Sequence, residues 1–248
     1  MKLNELVKHL SHSSLMCARV DIGYWWAKYY HKIYDPPGPA MMRGNAVEYG
    51  CAHFHNGGEF DDPVEEAEKE YTKRLGKQAA FGSNDAIEKE RANIKPMVEQ
   101  YRTLWGEKVP ALEDLQRRIE IEVDGLSVPI IGFTDFGFED SIWDLKTTTR
   151  MPSDITFDHR HQGAIYQQAA GNKAIKFAYV TPKKAAVYTL ENNPDDWHAV
   201  CSMALRLQNF VEQFDTPEEL TASVIPNYDT FYWRSQNARS EGQRIYGF

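Results

Sequence analysis

Residues 132–150 read GFTDFGFEDSIWDLKTTTR. The stretch has the alternation of two strands joined by a tight connection at Glu139-Asp140. Yet it sets Asp135 and Asp144 among apolar residues and follows them with Lys146. Residues two apart on a strand share a face, so Asp144 and Lys146 point together while Leu145 points away. Symmetric counting around the connection puts Asp135 across from Asp144, and cross-strand neighbours lie about 5 Å apart. Two carboxylates and an ammonium therefore converge on one patch of a mostly apolar sheet.

Upstream, QRRIEIEV (116–123) alternates as a half-buried strand does. Asp124-Gly125 predicts a two-residue hairpin turn, and LSVPIIGFTDFGF (126–138) forms the returning strand, with Gly132 marking a bend or bulge. SIWDLKTT (141–148) is the third strand of this meander. Downstream, 158–172 has helical spacing, IKFAYVT and AAVYTL form a strand pair around Pro182-Lys183, and Pro194 opens a long helix to about Phe214.

The first hundred residues are helical. Leu3–Leu10 has helix spacing, and Ser11 or Ser13 caps one helix running through LMCARVDIGYWWAKYYHKIY. A break follows at Asp35-Pro-Pro-Gly-Pro39, then a helix over 42–56 stopping at Gly57-Gly58. Asp62-Pro63 opens a charged helix to about Leu75, and another spans 85–105. The order is helices, meander, helix, strand pair, helix: an α+β chain with one mixed sheet. We divide its single domain, 1–248, into a helical part (1–110), a sheet core (111–215) and a tail (216–248).

Composition bounds the possibilities. Of 248 residues, 42% are hydrophobic and 26% charged, as expected of a folded globular chain. No stretch approaches the roughly 18 apolar residues of a membrane span, and MKLNELVKHL is too polar for a signal-peptide core. Cys17, Cys51 and Cys201 lie far apart, which predicts a reducing, cytoplasmic setting and excludes a four-cysteine cluster within the chain. The net charge of −8 argues against a nucleic-acid binder. However, 59–70 alone carries seven acids against one lysine, whereas 144–184 carries seven basic residues against three acids. The second stretch can face phosphate.

Two close carboxylates repel, and burying them is costly. A divalent cation removes that cost, and an oxygen-rich site of this kind suits Mg²⁺, with Mn²⁺ as substitute. Such an ion acidifies a bound water and stabilises charge on a phosphate, with a neighbouring lysine offsetting negative charge. That combination hydrolyses phosphodiesters. The competing reading is an Asp144–Lys146 ion pair with a solvated Asp135.

GFTDF, a turn and IWDLKT resemble two motifs of the PD-(D/E)xK nuclease superfamily, in the branch of RecB-like nuclease domains and phage recombination exonucleases. That branch follows them with a Gln-x-x-x-Tyr helix, and this chain has Gln162 and Tyr166 four apart on one helical face. Upstream, MRGNAVEYGCAHFH supplies Gly44 and Glu48 in an RG-x-A-x-E-x-G form similar to a phage exonuclease subgroup, as is the tail FYW (231–233). The resemblance covers roughly 11–190. It implies a restriction-endonuclease-like core: a mixed central sheet flanked by helices, with a helical N-terminal part. It also implies that Glu48, Asp135, Asp144 and the Leu145 carbonyl bind Mg²⁺ and that Lys146 helps activate water. Gln162 and Tyr166 would hold the active-site end of their helix and contact the DNA backbone. Many RecB-like members place histidine where this chain has Glu48, and His53 is the alternative ligand. Arg43 is the candidate for a terminal phosphate or a surface salt bridge, Arg150 for the DNA backbone, and the basic lead His159-Arg160-His161 for phosphate or a solvated turn. YWWAKYY (24–30) either stacks on bases or packs the core. The implied activity is a metal-dependent exonuclease that digests one strand of duplex DNA from an end, in the host cytoplasm if phage-encoded. A closed homo-oligomeric ring and a single-strand annealing protein as partner go with it. An endonuclease of the same superfamily, or a catalytically idle DNA-binding protein with this fold, are the alternatives. No G-x-x-x-x-G-K-[ST], H-E-x-x-H or G-x-S-x-G motif competes.

Overall fold

A computed structural model of the chain describes residues 1–56, 62–77, 82–106 and 109–248. The helix stop expected at Gly57-Gly58 lies outside them. The chain runs α1 (Leu3–Leu6), β1 (Leu10–Ser11), α2 (His12–Val20), α3 (Ile22–Tyr29), α4 (Pro39–Asn56), α5 (Pro63–Lys77), α6 (Asn84–Arg91) and α7 (Ile94–Arg102). The central part is β2 (Asp114–Leu115), β3 (Arg118–Ile121), β4 (Ile130–Phe133), β5 (Phe136–Gly137), β6 (Ser141–Thr147), α8 (Phe157–Ala169), β7 (Ala174–Val180) and β8 (Ala185–Thr189). It ends with α9 (Pro194–Glu212), α10 (Pro217–Ser223), a 3₁₀ turn at Phe231–Trp233 and α11 (Gln236–Tyr246). The α+β expectation and the mixed sheet flanked by helices are met.

Two expected long helices are each divided, for identifiable reasons. The one after Ser11 stops at Val20 because Asp21 turns back as a cap, its Oδ1 accepting the Tyr24 N–H at 2.9 Å. Its Oδ2 accepts Trp233 Nε1 at 2.6 Å and Thr230 Oγ1 at 3.2 Å, which anchors the tail. The helix expected over 85–105 breaks into α6 and α7. In a continuous helix the ring of Pro96 would clash with the Ala92 carbonyl. Leu3–Leu10 gives only the four-residue α1, because Leu10 leaves the helix to pair in parallel with Ile130.

The meander differs from the expectation in a way that shapes the site. Pairings Asp114↔Gly137 and Leu115↔Phe136 continue in one register with Arg118↔Phe133 through Ile121↔Ile130. β2–β3 and β4–β5 are therefore the two sides of one long hairpin without an inserted residue. It bends where Gln116 takes a left-handed φ of 50° opposite Asp135. The Gln116 N–H still donates to the Asp135 carbonyl (3.1 Å), as the Thr134 N–H does to that of Arg117 (3.0 Å). The bend splits the expected single sheet in two, ordered β1-β4-β3 and β2-β5-β6-β7-β8. Gly132 is not the bend: it lies within β4, where a Cβ would crowd Ile119 and Tyr166 at 3.2 and 3.3 Å. Asp124-Gly125 does form a turn, closed by the Leu126 N–H on the Val123 carbonyl (3.0 Å). The ladder nevertheless stops at Ile121↔Ile130. Gln208 of α9 claims the loop instead, accepting from the Ser127 N–H (2.7 Å) and donating to the Gly125 carbonyl (2.9 Å).

β6 pairs antiparallel with β5 and parallel with β7, so it sits centrally with both faces covered. Ile142, with Phe177 and Tyr179 of β7, enters the core under α2, α8 and α9. Trp143 and Leu145, with Ala178 and Val180, enter a second core under α4, α5 and α7. Burying these apolar faces supplies the main favourable free energy of the sheet. Trp25 and Trp26 are buried in the first core, which decides YWWAKYY for packing over base stacking.

Candidate active site

The alternation that sends Trp143 and Leu145 one way sends Asp144 and Lys146 the other, toward α8. Asp144 is fully buried. Its Oδ1 accepts Gln162 Nε2 at 2.9 Å and the Tyr166 hydroxyl at 3.0 Å. Lys146 Nζ lies 2.5 Å from Asp144 Oδ2 and donates to Gln162 Oε1 at 2.8 Å. Gln162 thus joins carboxylate and ammonium, and the i, i+4 spacing that puts Tyr166 beside it is the helical one.

The β5–β6 ladder ends at Phe136↔Trp143. One step further Asp135 faces Asp144, in the register that counting around the connection gives. Asp135 Oδ2 accepts the Leu145 N–H at 2.7 Å, replacing the missing strand partner. Because the strand edge is open there, Glu48 reaches the same place from α4, on the other side of the sheet. Gly50 lets α4 approach α5 closely, since a Cβ there would lie 2.4 Å from the Pro63 carbonyl oxygen. Glu48 Oε1 accepts Gln116 Nε2 at 2.8 Å.

The electrostatics bind the group together. Burial, and then the charges of Asp144 and Glu48, hold the Asp135 carboxyl well above the usual carboxylate range. Burial also raises Glu48; the Gln116 hydrogen bond opposes this and the charge of Asp144 adds to it. Burial works to lower the Lys146 ammonium, but Asp144 and Asp135 outweigh it, so Lys146 is held above its ordinary value and carries its proton. Two histidines flank this lysine, His12 of α2 and His159 of α8, and the second is not the positive charge its basic surroundings suggest. Burial and then the Lys146 charge push His12 and His159 each down to about 4, so both are neutral near pH 7. His159 Nδ1 is 2.6 Å from the Tyr179 hydroxyl.

Among the described residues, no three carboxylate, imidazole or thiol groups form a ready-made cation cage. Each carboxylate rests on protein donors. The donor set still fits a hard divalent cation: three mutually repelling carboxylates, with Asp144 Oδ2 resting on the Lys146 ammonium alone. Glu48, Asp135, Asp144 and the Leu145 carbonyl are the groups that would hold it.

Other candidates fall elsewhere. The His53 ring packs on Tyr49 (4.7 Å) and lies toward Glu66 of α5, not toward Asp135 and Asp144. Arg43 is buried against Glu90, with Nη2 3.3 Å from Thr147 Oγ1; it buttresses the end of β6, in a buried ion pair rather than a surface one. Arg150 is exposed on the loop after β6. Arg160 closes its fork on Asp196 (2.9 and 3.1 Å) on the α9 side of α8, roughly opposite Gln162 around that helix. The expected DNA contact of Tyr166 is corrected: its side chain is buried, with the hydroxyl on Asp144 Oδ1 and 2.8 Å from the Phe133 carbonyl oxygen. The hydroxyl lies between β4 and Asp144, within hydrogen-bond reach of both. Tyr166→Phe removes that donor and is expected to cost about 1–2 kcal/mol of unfolding free energy, measured by urea titration. A change under 0.3 kcal/mol would show the hydroxyl to be idle.

A family model for the PD-(D/E)XK nuclease superfamily matches residues 9–230. The chain belongs to that superfamily. No curated protein matches it. Among solved structures, the crystal structure of SSO0001 aligns over 73% of this chain and 81% of that one, at 14% identity and a TM-score of 0.36. That likeness carries no weight for fold or function here. No described helix is long and apolar enough to cross a membrane.

Proposed function

We propose that the chain is a divalent-metal-dependent deoxyribonuclease that acts as an exonuclease on duplex DNA ends. The observation that carries the reading is the facing pair Asp135 and Asp144, with Lys146 on Asp144 and Glu48 brought alongside from α4. Mg²⁺, when bound by these residues, supplies Lewis-acid polarisation of a phosphate and a water acidified for attack. The chain's own groups do the rest. Gln162 and Tyr166 fix the rotamer of Asp144 through its Oδ1. Lys146 stays protonated, so it acts as a hydrogen-bond donor and positive charge toward the attacked phosphate rather than as a base. Neutral His12 and His159 leave Lys146 as the cation at this spot, which keeps charge stabilisation local.

End-dependent digestion is supported by the RG-x-A-x-E-x-G form around Glu48 and the ordered motifs that resemble phage recombination exonucleases. A homo-oligomeric ring and a single-strand annealing partner belong to the same reading. With Mg²⁺, linear duplex DNA is expected to release acid-soluble nucleotides while a covalently closed circle of the same sequence stays intact. Cleavage of the circle at a comparable rate would convert the reading to an endonuclease. Binding of both without release of nucleotides would make it a DNA-binding protein that has lost turnover.

A further inference from the structure

Gln116 touches two of the three residues that bear the candidate metal carboxylates. Its side-chain Nε2 donates to Glu48 Oε1 at 2.8 Å, and its backbone N–H donates to the Asp135 carbonyl at 3.1 Å. It does so from a left-handed φ of 50°, which is unfavourable for a residue with a Cβ. The register of the hairpin is unbroken on both sides, so the kink inserts no residue and serves no change of pairing. Its consequence is to divide the two sheets opposite Asp135 and to turn the Gln116 side chain toward α4. Strain concentrated at a bend that places one amide on one carboxylate marks a residue whose job is orientation.

We propose that Gln116 is a positioning residue for the metal site: its amide fixes the rotamer of Glu48, so that this carboxylate faces Asp135 and Asp144 rather than solvent. A carboxylate on a long helical side chain loses rotamer freedom when it joins a cation, and an amide that has already fixed it lowers that cost. Gln116 is exposed, so water competes for the bond and the effect is moderate rather than all-or-none. The inference rests on the metal-dependent reading above.

The decisive variant is Gln116→Gly, which deletes the amide while accepting the left-handed backbone. Mg²⁺ is titrated by calorimetry into the full-length protein without DNA. The same protein is assayed for cleavage across Mg²⁺ concentrations and for its melting temperature. Gln116→Gly is expected to weaken Mg²⁺ binding about fivefold, the size of one ordinary net hydrogen bond, because water competes for this exposed pair. The half-saturating Mg²⁺ for cleavage should rise by the same factor, with the rate at saturating Mg²⁺ within twofold and an unchanged or higher melting temperature. Gln116→Asn tolerates the same φ but is too short to reach, and should match the glycine variant. Glu48→Gln run alongside separates the two layers of argument. If Glu48→Gln weakens Mg²⁺ binding and Gln116→Gly does not, the role of Gln116 is overturned while the nuclease reading stands. If neither variant changes Mg²⁺ binding, Glu48 is no ligand, and both the metal reading and this inference fail.

Discussion

Lys146→Ala is expected to lower the rate of DNA cleavage at least about a hundredfold, the scale seen when one preorganised donor is removed from a charged transition state. The reason is on both sides of its ammonium. Nζ lies 2.5 Å from Asp144 Oδ2 and 2.8 Å from Gln162 Oε1, with the side chain about one-fifth exposed, so one edge remains free to meet substrate. Asp144 and Asp135 keep it protonated, and neutral His12 and His159 cannot substitute for its charge. The sheet should still assemble on Ile142, Trp143 and Leu145, whose side chains the substitution leaves alone, while the unpaired charge left on buried Asp144 lowers the melting temperature. Circular dichroism and duplex-DNA affinity measured without divalent cation should therefore stay near wild type. A cleavage rate within tenfold of wild type would remove Lys146 from the chemistry and leave it as the countercharge of a buried aspartate.

The core of this site was legible because strand periodicity is a strong local signal. Asp144 and Lys146 on one face, and Asp135 opposite, follow from alternation and one tight connection, and β5–β6 pairs in that register. Gln162 and Tyr166 follow from helical spacing. What alternation cannot carry is the path of the hairpin. The bend at Gln116 depends on a φ that no residue type announces here, since the sequence offers Gly132 and Asp124-Gly125 as the obvious irregularities. Both are overruled by tertiary contacts, through Tyr166 and Ile119 at the first and Gln208 at the second. Gln116 itself was read only as the first residue of a strand. His12 is one residue of the helix that Ser11 caps, and His159 stands beside Arg160 as if to add charge, whereas burial and Lys146 keep it neutral. Nothing local says that α2 and α8 converge on Lys146. Arg160 and Arg43 looked like phosphate contacts from charge and position. Their partners, Asp196 and Glu90, lie 36 and 47 positions away, beyond what spacing reveals. The tail helices α10 and α11 are seated by residues far away in the chain: Trp26 Nε1 donates to Thr221 Oγ1 of α10 at 2.8 Å, and the Tyr246 hydroxyl of α11 donates to the Gly23 carbonyl at 2.6 Å.

Asp135→Asn should uncouple stability from function in opposite directions. Asp135 faces Asp144 one step beyond the end of the ladder, with Glu48 adding a third negative charge. One hydrogen bond from the Leu145 N–H does not offset that repulsion in a desolvated place. An asparagine of the same shape keeps an oxygen for the Leu145 N–H and removes the charge. In cation-free buffer near pH 7 the variant is therefore expected to melt several degrees higher than wild type. The pH dependence follows from the direction of the shift. A carboxyl held above its ordinary value in the folded state binds a proton more tightly there than in the unfolded chain. Its stabilising contribution is complete below the ordinary value near 4 and is lost as the pH rises through the raised one. Wild type should accordingly lose stability from mildly acid toward neutral pH, and the variant should lose less. Mg²⁺ reverses the order: it binds the folded wild type and raises its melting temperature by mass action, whereas the variant, short of one ligand charge, gains little. Cleavage by the variant should fall below detection. A variant that melts lower than wild type without Mg²⁺ would mean that Asp135 is stabilised where it stands, and that the three carboxylates are not held together against their own repulsion for a cation to relieve.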